Sequence, residues 1–130
     1  MEVALDTNAY SDWLRCGLWN EKITQASRII VPMIVIGELF HGFHGGDRFQ
    51  RNKGILMDFL GEDAVDAVAP NLEIANCFGV FMSYLQVKGT KIPTNDVWIA
   101  ATAHVCGATL LSDDAHFDFL PQLSRLRSGD

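Results

Sequence analysis

Short apolar runs, each stopping at a polar residue or a proline, alternate along this chain with longer stretches of helical period. That alternation leaves few architectures open. The runs are EVAL before Asp6, SRIIVP closed by Pro32, the weaker DAVDAVAP before Pro70, and GATLLS before Asp113. Between them, SDWLR starts a helical turn or two. MIVIGELFHGF reads as a helix carrying Glu38, although its β-branched residues leave a strand open. Residues 48–60 space Phe49, Ile55, Leu56, Phe59 and Leu60 as a helix does, and residues 71–88 put Ile74, Phe78, Phe81 and Leu85 on one face. After the KGTKIP turn, Thr94 is placed to cap a helix running to Cys106, with Asp96 in its first turn. The remainder reads as loop, with one short strand near 123–126. Strands alternating with helices predict an α/β fold, a central parallel sheet flanked by helices on both faces. In such sheets functional groups gather beyond the carboxyl ends of the strands.

The composition narrows the class. With 130 residues, 48% of them hydrophobic, the chain can build one core and is expected to form one domain. RIIVPMIVIG and the other apolar runs stop well short of the ~20 residues a membrane helix needs. The opening MEVALDTN carries early acids in place of a basic and then apolar leader, so neither a membrane partner nor a targeting signal is expected. Cys16, Cys77 and Cys106 are odd in number, widely spaced and never paired as C-x-x-C. This excludes a disulfide framework or a cysteine zinc site and fits a reducing cytoplasm. A net charge of −6 argues against sequence-blind binding to nucleic-acid phosphates, unless metal ions bridge protein and phosphate.

The acids have an address on this fold. Asp6 follows the first strand, and Asp113 and Asp114 follow TLLS, so two strands deliver carboxylates to one sheet edge. Asp96, at a helix start, can face that edge, and Glu38 sits one to two turns into the helix after the second strand. Each acid has a plainer reading: Asp6 as a helix cap competing with Thr7 and Asn8, Asp96 as a helix-dipole acid worth ~0.3–1 kcal/mol, Glu38 as a partly exposed helix acid, Asp113 and Asp114 as a turn pair. Converging carboxylates repel unless a cation lies among them, and hard oxygens suit Mg²⁺ or Mn²⁺. One or two such ions can activate water for attack on a phosphodiester without any protein nucleophile.

The set LDTN at 5–8, IGELFHG at 36–42, NDVWIAATA at 95–103 and LLSDDAHF at 110–117 resembles the PIN-domain nucleases, specifically the small VapC-type ribonuclease toxins of toxin–antitoxin pairs. The likeness spans nearly the whole chain, with all four motifs in order. It implies that residues 1–130 form one PIN-like nuclease domain with a five-stranded sheet, whose last strand this tail supplies only faintly. Asp6, Glu38 and Asp96 match the family's first three metal-binding acids. Ser112, Asp114 and Phe117 match its last motif, making Asp114 the fourth acid and Asp113 a helper or alternative ligand. Thr7 or Asn8, and Ser112, would orient carboxylates, water or phosphate. The resemblance further implies an RNA substrate, a cognate antitoxin and a homodimer formed through helices.

Grip on substrate should come from basic residues outside the acidic centre, for which Arg15, Arg48, Arg51, Lys53, Lys88 and Lys91 are the candidates. Trp13, Leu14, Leu18, Trp19, Phe40 and Phe43 exceed what a small core can bury, which suggests a groove for the partner. Other constellations fail. His41 and His44 lack the HExxH pattern, Asn8 stands where a phosphoaspartate enzyme needs a second aspartate, and glycines 37, 42, 45 and 46 spell no P-loop. His116 reads as an ordinary loop histidine. A non-catalytic domain holding a structural cation, or a DNA or flap nuclease of the same broad fold, are the competing functional readings.

Overall fold

A computed structural model describes all 130 residues. The chain runs β1 (Glu2–Leu5), α1 (Thr7–Cys16), α2 (Asn20–Thr24), β2 (Arg28–Pro32), α3 (Met33–His44), α4 (Phe49–Leu60), β3 (Val65–Val68), α5 (Leu72–Val87), α6 (Thr94–Val105), β4 (Thr109–Leu111), a 3₁₀ turn (Ala115–Phe119) and β5 (Arg125–Leu126). All five strands are parallel, in the order β3-β2-β1-β4-β5. Val3 pairs with Ile29 on one side and Thr109 on the other, and Leu5 pairs with Leu111. Helices cover both faces, so Val3, Ala4 and Leu5 are fully buried, as are Ile30 and Val31. Continuous burial explains why these strands read as apolar runs and not as alternating patterns.

The chain moves from β1 outward to β3, then returns past β1 to β4, and the reversal falls between β1 and β4. Right-handed crossovers place α1 to α4 on one face and α5 and α6 on the other. Crevices at such a reversal, beyond the carboxyl ends, are where open sheets bind ligands. Asp6 and Ser112 are the residues that leave β1 and β4 there.

Local chemistry sets the helix starts. Asp6 caps α1, its carboxylate accepting from the Ala9 N–H, so α1 begins at Thr7, four residues before SDWLR. Asn71 caps α5 through the Ile74 N–H at 2.8 Å. Thr94 does not cap α6. Pro93 holds that position and no side chain completes the cap. The segment at 33–44 is a helix despite Ile34, Val35 and Ile36, because Val35, Ile36 and Leu39 fall on one buried side while Gly37 and His41 face out. Gly107, at φ +69°, turns the chain from α6 into β4 in a conformation that glycine adopts without strain. Cys16, Cys77 and Cys106 are all free thiols. No helix is long and apolar enough to cross a membrane.

The C-terminal region is more ordered than a loop. Phe117, Leu120 and Leu123 are buried, and β5 accepts the Ser112 N–H at the Leu126 carbonyl, 3.1 Å away. Arg125, its side chain only 10% exposed, donates from Nη1 to the carbonyls of Ser112 at 2.9 Å and Asp114 at 3.4 Å, and pairs with Asp118. One guanidinium thus ties β5 to the loop after β4. Arg125→Ala would leave those carbonyls without their donor, at a cost of about 1–3 kcal/mol. The expected result is a thermal midpoint several degrees lower with faster amide exchange at 113–115, and an unchanged midpoint would deny the tie.

Candidate functional site

Asp6 is 5% exposed. One of its carboxylate oxygens accepts the Ala9 N–H at 2.7 Å and the other accepts the Ser112 hydroxyl. Burial pushes its pKa up to about 6, further raised by Asp114 and Asp96 and opposed by those two hydrogen bonds. Ser112 is itself buried, and its oxygen also accepts the Asp114 N–H at 3.0 Å. This hydroxyl therefore joins the ends of β1 and β4. Asp114 caps the 3₁₀ turn through the His116 N–H at 2.9 Å, which fixes its carboxylate at the turn's mouth.

Asp96 reaches the same place from the first turn of α6. Its Oδ2 lies 2.8 Å from His116 Nδ1, and that nitrogen lies 3.2 Å from Asp114 Oδ1. Ligand atoms of Asp96, Asp114 and His116 all fall within 4.8 Å of one another. The Asp96 pKa is raised, mainly by burial, with Asp114 and Glu38 adding to it and His116 opposing. Glu38 stands beside them and accepts the Thr7 hydroxyl at 2.6 Å.

The closest group thus holds two carboxylates and an imidazole, where the sequence suggested carboxylates alone. Asp6 and Glu38 belong to the same end of the sheet but are held by Ser112, Ala9 and Thr7. His116, taken for a plain loop histidine, is part of the cluster. The 3₁₀ turn, started by Asp114 and anchored by buried Phe117, aims it inward. Its spacing two residues after Asp114 was the available signal. Asp113 is turned away: its carboxylate accepts the Ser128 N–H at 2.7 Å, which lowers its pKa, so it fastens the tail and is no ligand in this arrangement. Asn8 is exposed and outside the hydrogen bonds that hold the acids. The donor set, hard oxygens with one nitrogen around a shared centre, fits a divalent cation of the Mg²⁺ or Mn²⁺ type. The crowding of like charges is what such an ion would relieve.

The basic candidates lie outside this cluster. Arg15 is 77% exposed and pairs with Asp12, Lys88 stands over the Tyr84 ring, and Arg48, Arg51 and Lys53 are exposed at and along α4. Lys91 lines a cavity of about 400 Å³ between the end of α5 and the start of α6, which none of the acids enters. Among the aromatics, Trp19 is core, 6% exposed and held at φ 73°, so it cannot face a partner. Trp13 packs on Phe59 at 5.1 Å and Phe40 lies near Phe43 and Phe49, all half-buried or core, whereas Leu18 is half-buried and Leu14 is 50% exposed. Trp13, Leu14, Phe40 and Phe43 keep some exposed surface, on α1 and α3.

Comparison with known proteins points one way. The sequence profile of the PIN domain family matches residues 3–122. Ribonuclease VapC1 of Haemophilus influenzae strain R2866 is 27% identical over 95 residues, covering 71% of this chain and 69% of that protein. Ribonuclease VapC2 of H. influenzae strain ATCC 51907 / DSM 11121 / KW20 / Rd is 30% identical over 89 residues, covering 68% and 66%. Among solved structures, VapBC-1 from nontypeable H. influenzae superposes with a TM-score of 0.86 at 24% identity over 100% of both chains. VapBC2 from Rickettsia felis bound to a promoter DNA fragment gives 0.85 at 23% identity over 98% of both.

The raised pKa of Asp6 has a measurable sign. The folded state binds a proton at this carboxyl more tightly than the unfolded state, whose value is near 3.8, so this group's contribution to stability falls as pH rises from about 4 through about 6. Metal-free wild type should lose roughly 2–3 kcal/mol from this source across that window. Asp6→Asn removes it, and denaturant melts at pH 4.5 and 7 should show the variant falling less. Parallel pH profiles would contradict the assignment.

Proposed function

This chain belongs to the PIN-domain family, and we propose that residues 1–130 form a divalent-metal-dependent endoribonuclease domain acting as the toxin of a toxin–antitoxin pair. The observation that carries the reading is the convergence of Asp96, Asp114 and His116 at the strand-order reversal, with buried Asp6 and half-buried Glu38 beside them. Relatives named as ribonucleases support RNA as the substrate. When bound, Mg²⁺ or Mn²⁺ supplies Lewis acidity at the phosphate and lowers the pKa of water.

The chain's own residues perform the remaining work. Asp96 and Asp114, with His116 beside them, would hold the ion, and Asp6 and Glu38 would complete its ligands. Ser112 fixes the second oxygen of Asp6 and the backbone of Asp114 together, and Thr7 fixes Glu38. His116, hydrogen-bonded to Asp96, sits where it can orient that carboxylate. Arg15, Arg48, Arg51, Lys53, Lys88 and Lys91 contact the flanking RNA backbone. The VapBC structures support a cognate antitoxin, which we place on the partly exposed Trp13, Leu14, Phe40 and Phe43 of α1 and α3. Leu72, Val80, Met82 and Val87, exposed on α5, support a homodimer formed through that helix. A cytoplasmic protein fits the three free thiols.

Incubating the purified protein with structured RNA, total RNA and DNA, with EDTA and after readdition of metal, tests this reading. RNA should be cut, EDTA should abolish cutting, and Mn²⁺ or Mg²⁺ but not Zn²⁺ should restore it. Mn²⁺ should also raise the thermal midpoint of metal-free protein as occupancy grows. Metal bound without any RNA cleavage would favour a non-catalytic domain, and preference for DNA would favour the flap-nuclease class.

A further inference from the structure

Glu38 borders two features of the molecule. Its Oε1 accepts the Thr7 hydroxyl, and its side chain also walls an open cleft of about 350 Å³ beside the acids. Ile34, Gly37 and His41 from α3 and Asn95 from α6 complete the cleft. Positions 34, 37, 38 and 41 follow the helical spacing of three, four and seven, so one face of α3 builds the wall. His41 and Asn95 are exposed, and none of the hydrogen bonds that hold the acids engages either side chain. At Gly37 an added Cβ would meet nothing within 4 Å.

We propose that this cleft is a nucleobase subsite, receiving the base of the nucleotide that adjoins the scissile phosphate in a single-stranded RNA segment. The inference rests on the ribonuclease reading above and names part of its substrate recognition. Glu38 and Asn95, the chain neighbour of Asp96, both line the cleft, so it opens beside the acids over which the scissile phosphate would lie. The lining suits a base and not a second phosphate. It holds one carboxylate and no lysine or arginine. Ile34 and the bare helix surface at Gly37 offer an apolar floor, the His41 imidazole a stacking partner, and the Asn95 amide both a donor and an acceptor for a base edge. Proteins that read single-stranded RNA use this combination of stacking and edge hydrogen bonds on splayed bases.

Gly37→Leu is the direct probe. Its Cβ has open space, its side chain extends into the cleft, and it replaces an exposed helix glycine by a better helix former, so folding should be kept. The four nucleoside 5′-monophosphates are titrated with Mg²⁺ into ¹⁵N-labelled protein, with ribose 5-phosphate as control. The bases should shift the Gly37 amide and the Asn95 side-chain amide. Ribose 5-phosphate should not, and Gly37→Leu should abolish the response. In parallel, cleavage of a randomised single-stranded RNA by Mn²⁺-loaded wild type should show a base bias beside the cut. Asn95→Ala and His41→Ala should flatten that bias by about tenfold, with the Mn²⁺-induced rise in thermal midpoint retained. Cleavage with no nucleotide shift at Gly37, or a bias unchanged in the variants, would overturn the subsite. Nucleotide shifts without any cleavage by wild type would instead remove the ribonuclease reading.

Discussion

Carboxylates gathered at the end of a parallel sheet repel one another, and the fold holds them with hydrogen-bond donors. Ser112 does most of this. Its hydroxyl donates to Asp6 on β1's end and its oxygen accepts the Asp114 N–H on β4's end, so the two central strands are joined through one buried side chain. Thr7 restrains Glu38, and the N–H groups of Ala9 and His116 restrain Asp6 and Asp114. Two of the acids are helix caps as well as cluster members, which makes capping the device that aims them. These donors fix the carboxylates around the close group of Asp96, Asp114 and His116.

The electrostatics follow from that arrangement. Burial raises the pKa of Asp6 and of Asp96, and each feels neighbouring acids. A divalent ion lowers the energy of every charged carboxylate around it, so its binding stabilises both the site and the fold. An overall charge of −6 is then compatible with the proposed anionic substrate, since cations bound at the acids would offset it where the phosphate lies. Arg125 acts at one remove by holding the loop that bears Asp114.

Much of this was legible in the sequence because it depends on short-range rules. EVAL, SRIIVP and GATLLS announce buried parallel strands, and the residues that end strands or begin helices in such a sheet must share an edge, which located Asp6, Asp96 and Asp114. Glu38 followed from its place one to two turns into the helix after the second strand and from the family resemblance. What was hidden depends on contacts distant in sequence. The resemblance chose Asp114 over Asp113 by the spacing of Ser112, Asp114 and Phe117, but what Asp113 does instead depends on the tail, which offers it the Ser128 N–H. His116 depended on a 3₁₀ turn whose driving force is the burial of Phe117 and Leu120. Arg125 bonds to backbone carbonyls, which carry no side-chain signature. Trp19 looked like surplus surface and is core, because α2 folds back and buries it with Ile23.

The central claim is that this acid cluster holds the ion on which RNA cleavage depends, and Asp96 is its most informative member. Asp96→Asn keeps the shape and a hydrogen-bond acceptor for His116 while deleting one charge. Cleavage rate measured against Mn²⁺ concentration for wild type and Asp96→Asn tests the claim most directly. Asp96→Asn should fold normally, need far more Mn²⁺ for half-maximal rate, and remain much slower at saturation. Superimposable curves for the two proteins would contradict it.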